Sequence, residues 1–95
     1  MTRTYTASRI SQGNQLFPPT IILTDEGVTV RAPALVYKDM VFVPYNAISS
    51  VEIHTPLVGY SSIRFYAYVK EIHIHGFYQN EVQEMKAIIM EMQYQ

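Results

Sequence analysis

The three histidines are the residues of this chain whose type and spacing could do chemistry. His73 and His75 stand two apart in EIHIHG, and His54 ends the run VEIH. Two residues apart on a strand, His73 and His75 face the same way, about 6.5–7 Å from each other along the strand. Such a pair can hold zinc. The alternation pattern places His54 two strands away, across the strand that carries Arg64. Two strand spacings are about 9.5 Å, too far for three ligands on one ion, and the Arg64 guanidinium between them would repel a cation. We therefore expect no metal site and no cofactor. Catalysis has as little to work with. Asp25, Asp39 and the histidines form a triad only if the order of strands is ignored. Asp25 and Glu26 fall on a hairpin tip, where charges are solvated. No glycine-rich phosphate loop or HExxH spacing is present. The chain has no cysteine, which removes disulfides, thiol nucleophiles and thiolate metal sites. The expectation is a protein that is not an enzyme.

The same residues read better as a contact surface. Glu52 and His54, then Arg64, Tyr66 and Tyr68, then Glu71, His73 and His75 fall on one sheet face by strict alternation. Tyrosine, arginine and histidine with little lysine is the composition of interfaces. The candidate partner-binding residues are therefore His54, Arg64, Tyr66, Tyr68, His73 and His75. Met90 and Tyr94 join them, because with Ala87 they form a second stripe on a C-terminal helix and methionine adapts to contact surfaces. Charged residues make up 16% of the chain, against about 25% in ordinary soluble domains. A surface short of charge fits one that a partner covers. Eight tyrosines and no tryptophan suit half-buried strand faces, where the ring packs and the hydroxyl stays wet. The expected partner is another protein or a second copy of this chain, giving a homo-oligomer.

Charge also narrows the classes of ligand. Net charge is −1 with histidines neutral, and no two of the seven basic residues are adjacent. Duplex nucleic acid needs a patch of lysines and arginines, so none is expected. An anionic membrane needs clustered lysines, which makes lipid the disfavoured alternative. The N-terminal MTRTYTASRISQGNQ has no apolar signal core, and no apolar run approaches the ~20 residues of a membrane span. These features lead to the expectation of a cytoplasmic protein.

Behind this surface stand the elements that must position it. Ninety-five residues suit one domain with a thin core, burying about 60–65% of the surface of the unfolded chain. Residues 1–18 hold a strand in RTYTASRI and the loop SQGNQLFPP. TIILTDEGVTVR is a hairpin with a three-residue loop, in which Gly27 would supply a left-handed backbone. Ala34–Lys38 and Met40–Tyr45 are short extended pieces, and Pro33 and Pro44 mark strand ends or edges. Val43-Pro44-Tyr45 leaves one strand, Asn46-Ala47 turns, and Ile48-Ser49-Ser50 leads into the next, with Val51 and Ile53 inward. TPLVGYS is a turn. Ile63, Phe65 and Ala67 form the inward set of the following strand, and a reversal at Val69-Lys70 leads to Ile72 and Ile74. The period then changes. Asn80 with Gln83 fits a helix cap, and Val82, Met85, Ile88, Ile89 and Met92 share one helical face over 80–94. About seven short strands followed by one helix imply a mainly β, α+β arrangement.

TIILTDEGVTV (20–30), VPYNAISSVEI (43–53) and EIHIHGFYQNEVQEMKAII (71–89) together resemble the pleckstrin-homology-like fold, in particular the short bacterial PH and GRAM-like domains. The resemblance runs over roughly residues 19–93. It implies two near-orthogonal antiparallel sheets in a partial barrel capped by a C-terminal helix, with the proline–aromatic–turn–Ile-Ser-Ser-Val string entering the fifth strand. It also implies a binding module rather than one fixed activity. Phosphoinositide-binding members use basic residues in the first hairpin loop. The corresponding SRISQGNQLFPP offers Arg9 alone, a poor match for a multiply charged headgroup.

Overall fold

In the structure, a computed structural model, residues 1–10, 17–32, 40–68 and 70–94 are described. Among these residues seven strands and one helix follow one another. They are β1 (Thr2–Thr6), β2 (Thr20–Thr24), β3 (Gly27–Arg31), β4 (Met40–Pro44), β5 (Ile48–His54), β6 (Ser61–Ala67), β7 (Lys70–Phe77) and α1 (Gln79–Gln93). A single 3-10 turn, Tyr45–Ala47, separates β4 from β5. The strands form two antiparallel sheets in simple up-and-down order, β1-β2-β3-β4 and β5-β6-β7. The fold is thus mainly β with one C-terminal helix, as the change of period from two to about 3.6 leads one to expect. The expected strand at 34–38 lies outside the described residues.

Alternation explains which faces are buried. Tyr5, Ile21, Leu23, Val28, Val30 and Val43 point inward from the first sheet, and Ile63, Phe65, Ala67, Ile72 and Ile74 from the second. Val82, Met85 and Ile89 close the same core from the helix, at a spacing of three and four residues that puts them on one stripe. Ile88 and Met92 flank that stripe, partly buried against the core.

VPYNAISSVEI is the joint between the sheets. Pro44 ends β4, where its missing N–H costs no ladder bond. Tyr45 turns its ring into the core, and its hydroxyl donates to the Thr24 carbonyl at the end of β2. Ser49 is the extra residue of a bulge, since Ile48 opposes Ala67 while Ser50 opposes Tyr66. That bulge lets both Ile48 and Val51, three apart, face the core. The Ser49 hydroxyl donates to the Tyr66 carbonyl at 3.2 Å. From the far end of the helix, Gln93 Nε2 donates to the carbonyls of Tyr45 (3.1 Å) and Ile48 (2.8 Å). The helix therefore clamps the joint as well as covering the core. Near its start, Glu84 accepts the Tyr5 hydroxyl at 3.0 Å and lies 3.9 Å from the Arg3 guanidinium, tying α1 to β1.

Four local expectations are corrected. The hairpin loop is Asp25-Glu26, with Gly27 already in β3 and not in a left-handed conformation. Thr24 Oγ1 replaces the expected glycine device by accepting the Glu26 and Gly27 N–H groups at 3.2 and 3.4 Å. Gly27 is required instead by close approach, because a Cβ there would run into the Val43 carbonyl oxygen. The helix begins at Gln79, not Asn80, and its cap is Tyr78 with Glu81: the Glu81 carboxylate accepts the Tyr78 N–H at 2.9 Å. Phe77 is buried at the end of β7 and leaves one extended residue before the helix, too few for a cap at Asn80. The β6–β7 reversal falls earlier than expected, since Lys70 already pairs with Ala67. Finally, β1 stops at Thr6, and the Ser8 N–H bonds the Gly76 carbonyl at 2.8 Å, linking the first sheet's chain to β7. Gly76 is the extra residue of a bulge against Ser61/Ser62 and has φ 121°, which suits glycine.

The two buried tyrosines give the fold an alkaline limit. Burial, and then the hydrogen bond to Glu84 and its charge, push the Tyr5 phenol above its ordinary value. Burial, and then the Asp25 charge, do the same to Tyr45. The folded state therefore holds these protons more tightly than the unfolded chain. Their contribution to stability is complete below the unfolded value of about 10 and is lost as pH rises through the folded values. Urea midpoints are expected to be unaffected by these two groups between pH 7 and 9 and to fall above about pH 10. Tyr5→Phe/Tyr45→Phe should flatten that fall; an equally steep fall in the variant would assign it to other groups.

Candidate functional site

The outer face of β5–β7 carries most of the residues singled out in the sequence. Cross-strand register sets three rows: Ser50–Tyr66–Glu71, Glu52–Arg64–His73 and His54–Ser62–His75. Arg64 is the centre of the face. Its Nε lies 2.8 Å from Glu71 Oε1 and its Nη1 lies 3.9 Å from Glu52 Oε1. The Nε contact is an ion pair without the alignment of a hydrogen bond, leaving that N–H without a bonded acceptor. With all three side chains about half exposed, such pairs add about 0–1 kcal/mol each to stability. They place the guanidinium between two carboxylates.

Beside Arg64 the face dips. Glu52, Ile53, His54, Ser62, Arg64 and His73 line an open depression of about 370 Å³. Ser62 is buried on its floor although it lies on the outer side of β6. The arrangement offers two imidazoles, a hydroxyl, a carboxylate and a guanidinium to whatever enters, which is hydrogen-bonding chemistry. Among the described residues no three histidines or carboxylates are grouped as metal ligands. His54 and His73 occupy different rows as well as different strands.

His75 has a partner that the sequence did not disclose. The Tyr60 ring meets it edge-on, with centroids 6.4 Å apart at 81°, and lies 6.1 Å from the Tyr78 ring. Ser8 Oγ donates to the Tyr60 hydroxyl at 3.0 Å. This cluster fixes one end of the face. Tyr68 does not belong to the face as expected, because β6 ends at Ala67 and Tyr68 sits in the reversal with φ 58°. Met90 is exposed on α1, and Tyr94, expected inside the helix, is exposed just past its end at Gln93 as the C-cap; both lie apart from these rows. So the structure brings His54, Arg64, Tyr66, His73 and His75 together and leaves Tyr68, Met90 and Tyr94 outside.

Two surface features were not read from the sequence. Leu57 and Val58, at the tip of the β5–β6 loop, are 105% and 90% exposed. The outer face of β1–β4 is the other, and its only charge among the described residues is Arg31, as the register there shows. Compared with models of protein families and with curated protein sequences, the chain matches none. No helix among the described residues is long and apolar enough to cross a membrane.

Proposed function

We propose that this chain is a non-enzymatic protein-interaction module of pleckstrin-homology-like build, acting in contacts with a protein partner and with copies of itself. The observation that carries the reading is the outer face of β5–β7. There a guanidinium lies between two carboxylates beside a depression edged by His54 and His73. Tyr66 lies half-buried in the next row. Partly buried arginine and tyrosine are among the side chains that dominate binding energy in protein contacts. The cap of a small two-sheet core by one C-terminal helix supports the pleckstrin-homology-like part of the reading, together with the bulged Ile-Ser-Ser-Val entry to β5.

The test is capture of a protein partner from host extract by the immobilised chain, compared with Tyr66→Ala/His73→Ala. Tyr66 and His73 do not reach the core, so the variant is expected to melt as the wild type does. Loss of a central tyrosine of this kind costs about 2 kcal/mol or more in binding, about 30-fold. A protein recovered equally by both chains would place the contact elsewhere.

A membrane-proximal, lipid-binding role is a second reading, favoured by the β5–β6 loop. Leu57 and Val58 protrude without neighbours, and Tyr60 and Tyr78 stand near the base of that loop. Aromatic rings at that depth suit a membrane interface. Pelleting with neutral vesicles that is lost in Leu57→Ser/Val58→Ser would establish it, and no pelleting would remove it.

A further inference from the structure

We infer that the depression on the outer side of β5–β7 is an acid-gated seat for carboxylates, which takes an acidic peptide segment of a partner once its histidines are protonated. This rests on the protein-interaction reading above and names the chemistry of the partner. The seat is built around Ser62. Its side chain is buried on the outer side of β6, and it makes no side-chain hydrogen bond among the described residues. Register sets His54 and His75 on either side of it, with about 4.5–5.5 Å between the Cβ atoms of cross-strand neighbours. Two residues along β6, Arg64 stands on the same side with His73 opposite.

The charge of this face reverses with pH. At neutral pH it carries the Arg64 guanidinium against the Glu52 and Glu71 carboxylates, a net −1. Lys70 pairs with Ala67 and so falls on the opposite side of β7. Tyr66 and, near His75, Tyr60 and Tyr78 are the other titratable groups here, and phenols carry no charge between pH 5 and 8. Histidine is the side chain that changes charge in that range. With His54, His73 and His75 protonated, the same face carries +2. Both carboxylates are already paired with Arg64, and the row His54–Ser62–His75 contains none. The new positive charge therefore gathers where the serine hydroxyl is open.

An acidic segment is the occupant that this chemistry fits. Imidazolium N–H groups and a hydroxyl are donors, and a carboxylate accepts from them in charge-assisted bonds. The depression, about 370 Å³, is open to solvent. It suits a side chain entering from a polypeptide that passes over the sheet. Half-buried Tyr66 continues the surface in the row beyond Arg64, within reach of the same segment. Glu52 is the one carboxylate on the wall of the depression, and it opposes an incoming anion. Each protonated imidazole about 7 Å from a bound carboxylate strengthens binding about threefold in solvent. Three of them outweigh that opposition only when the pH is low enough to charge them.

NMR titration of the chain with a blocked tetra-aspartate peptide, at pH 5.5 and at pH 7.5, tests the inference. Aspartate is ionised at both values, so a difference between them belongs to this chain. The expected result is saturable shifts at His54, Ser62, Arg64 and His73 at pH 5.5, with affinity about tenfold or more weaker at pH 7.5 and no response to the asparagine counterpart. Linkage is reciprocal, so the peptide should raise the pH at which the His54 and His73 ring signals titrate. Glu52→Gln should carry binding to neutral pH, and His54→Gln/His73→Gln should remove the pH dependence. The wild-type shifts locate the seat whether or not a variant folds. Equal affinity at the two pH values, shifts centred on another surface, an equal response to the asparagine peptide or weaker binding by Glu52→Gln would overturn the inference. Capture of a protein at neutral pH that depends on Tyr66, with no response to the peptide, would remove this inference and leave the interaction reading standing.

Discussion

Ile89→Ala is expected to lower the free energy of unfolding by about 2–5 kcal/mol. Ile89 has no exposed surface and packs with Val82 and Met85 in the core shared by both sheets. Removing three carbons there leaves a cavity that strands held in register cannot readily collapse to fill. The total stability of a domain this size is about 5–15 kcal/mol, so one substitution would consume a large part of it. Met90 is the control one position on. It is 43% exposed, and Met90→Ala should stay within about 0.5 kcal/mol. Urea unfolding of the two variants measures the contrast. A fragment ending at Tyr78 loses the whole stripe and the Gln93 clamp, and is expected to aggregate or remain unfolded. A fragment that melts cooperatively, or equal losses at Ile89 and Met90, would show that the helix does not close the core.

That helix was legible because its signal is local and periodic. The same holds for the inward sets of β6 and β7, where alternation alone separates Ile63, Phe65 and Ala67 from Arg64 and Tyr66. What was not legible depends on contacts distant in sequence. Gln93 reaches carbonyls 45 and 48 positions away, and no pattern in QEMKAIIMEMQ marks it out. The helix cap was misplaced by two residues, at Asn80 instead of Tyr78, because Asn80 is the better cap by residue type. The chain instead leaves β7 so abruptly that Tyr78 takes the position, with Glu81 supplying the bond. Tyr68 was placed with Tyr66 by extending alternation one step past the true end of β6, into a reversal where alternation has no meaning. The candidate surface was read in part. Short connections in the β5–β7 unit fix its register, which brings His54, Arg64 and His73 together. The contrast in charge between the two sheets was not readable, because it requires knowing that β1–β4 form one sheet and β5–β7 another.

Gly27→Val is expected to destabilise the fold by about 3 kcal/mol or more, the upper range for overpacking. The reason is steric and does not lie in the backbone angle. Gly27 opposes Pro44 at the end of the β3–β4 ladder. A Cβ at Gly27 would collide with the Val43 carbonyl oxygen and come within 2.8 Å of Phe42 Cζ and 2.9 Å of Pro44 Cα. Two of these obstacles are backbone atoms, which can move only if β4 moves. Beyond Pro44 lies Tyr45, whose ring fills the core and whose hydroxyl holds the Thr24 carbonyl. A shift of β4 therefore disturbs the joint between the sheets as well as the hairpin. Gly27→Ala should cost less, about 1–3 kcal/mol, since it adds the colliding carbon without the branch. Adding Phe42→Ala to Gly27→Ala separates the obstacles. The ring is then gone while the carbonyl and Pro44 remain, so only part of the lost stability should return in urea unfolding. Full recovery would show that the ring alone made glycine necessary, and that β4 has room to accommodate a side chain at this position.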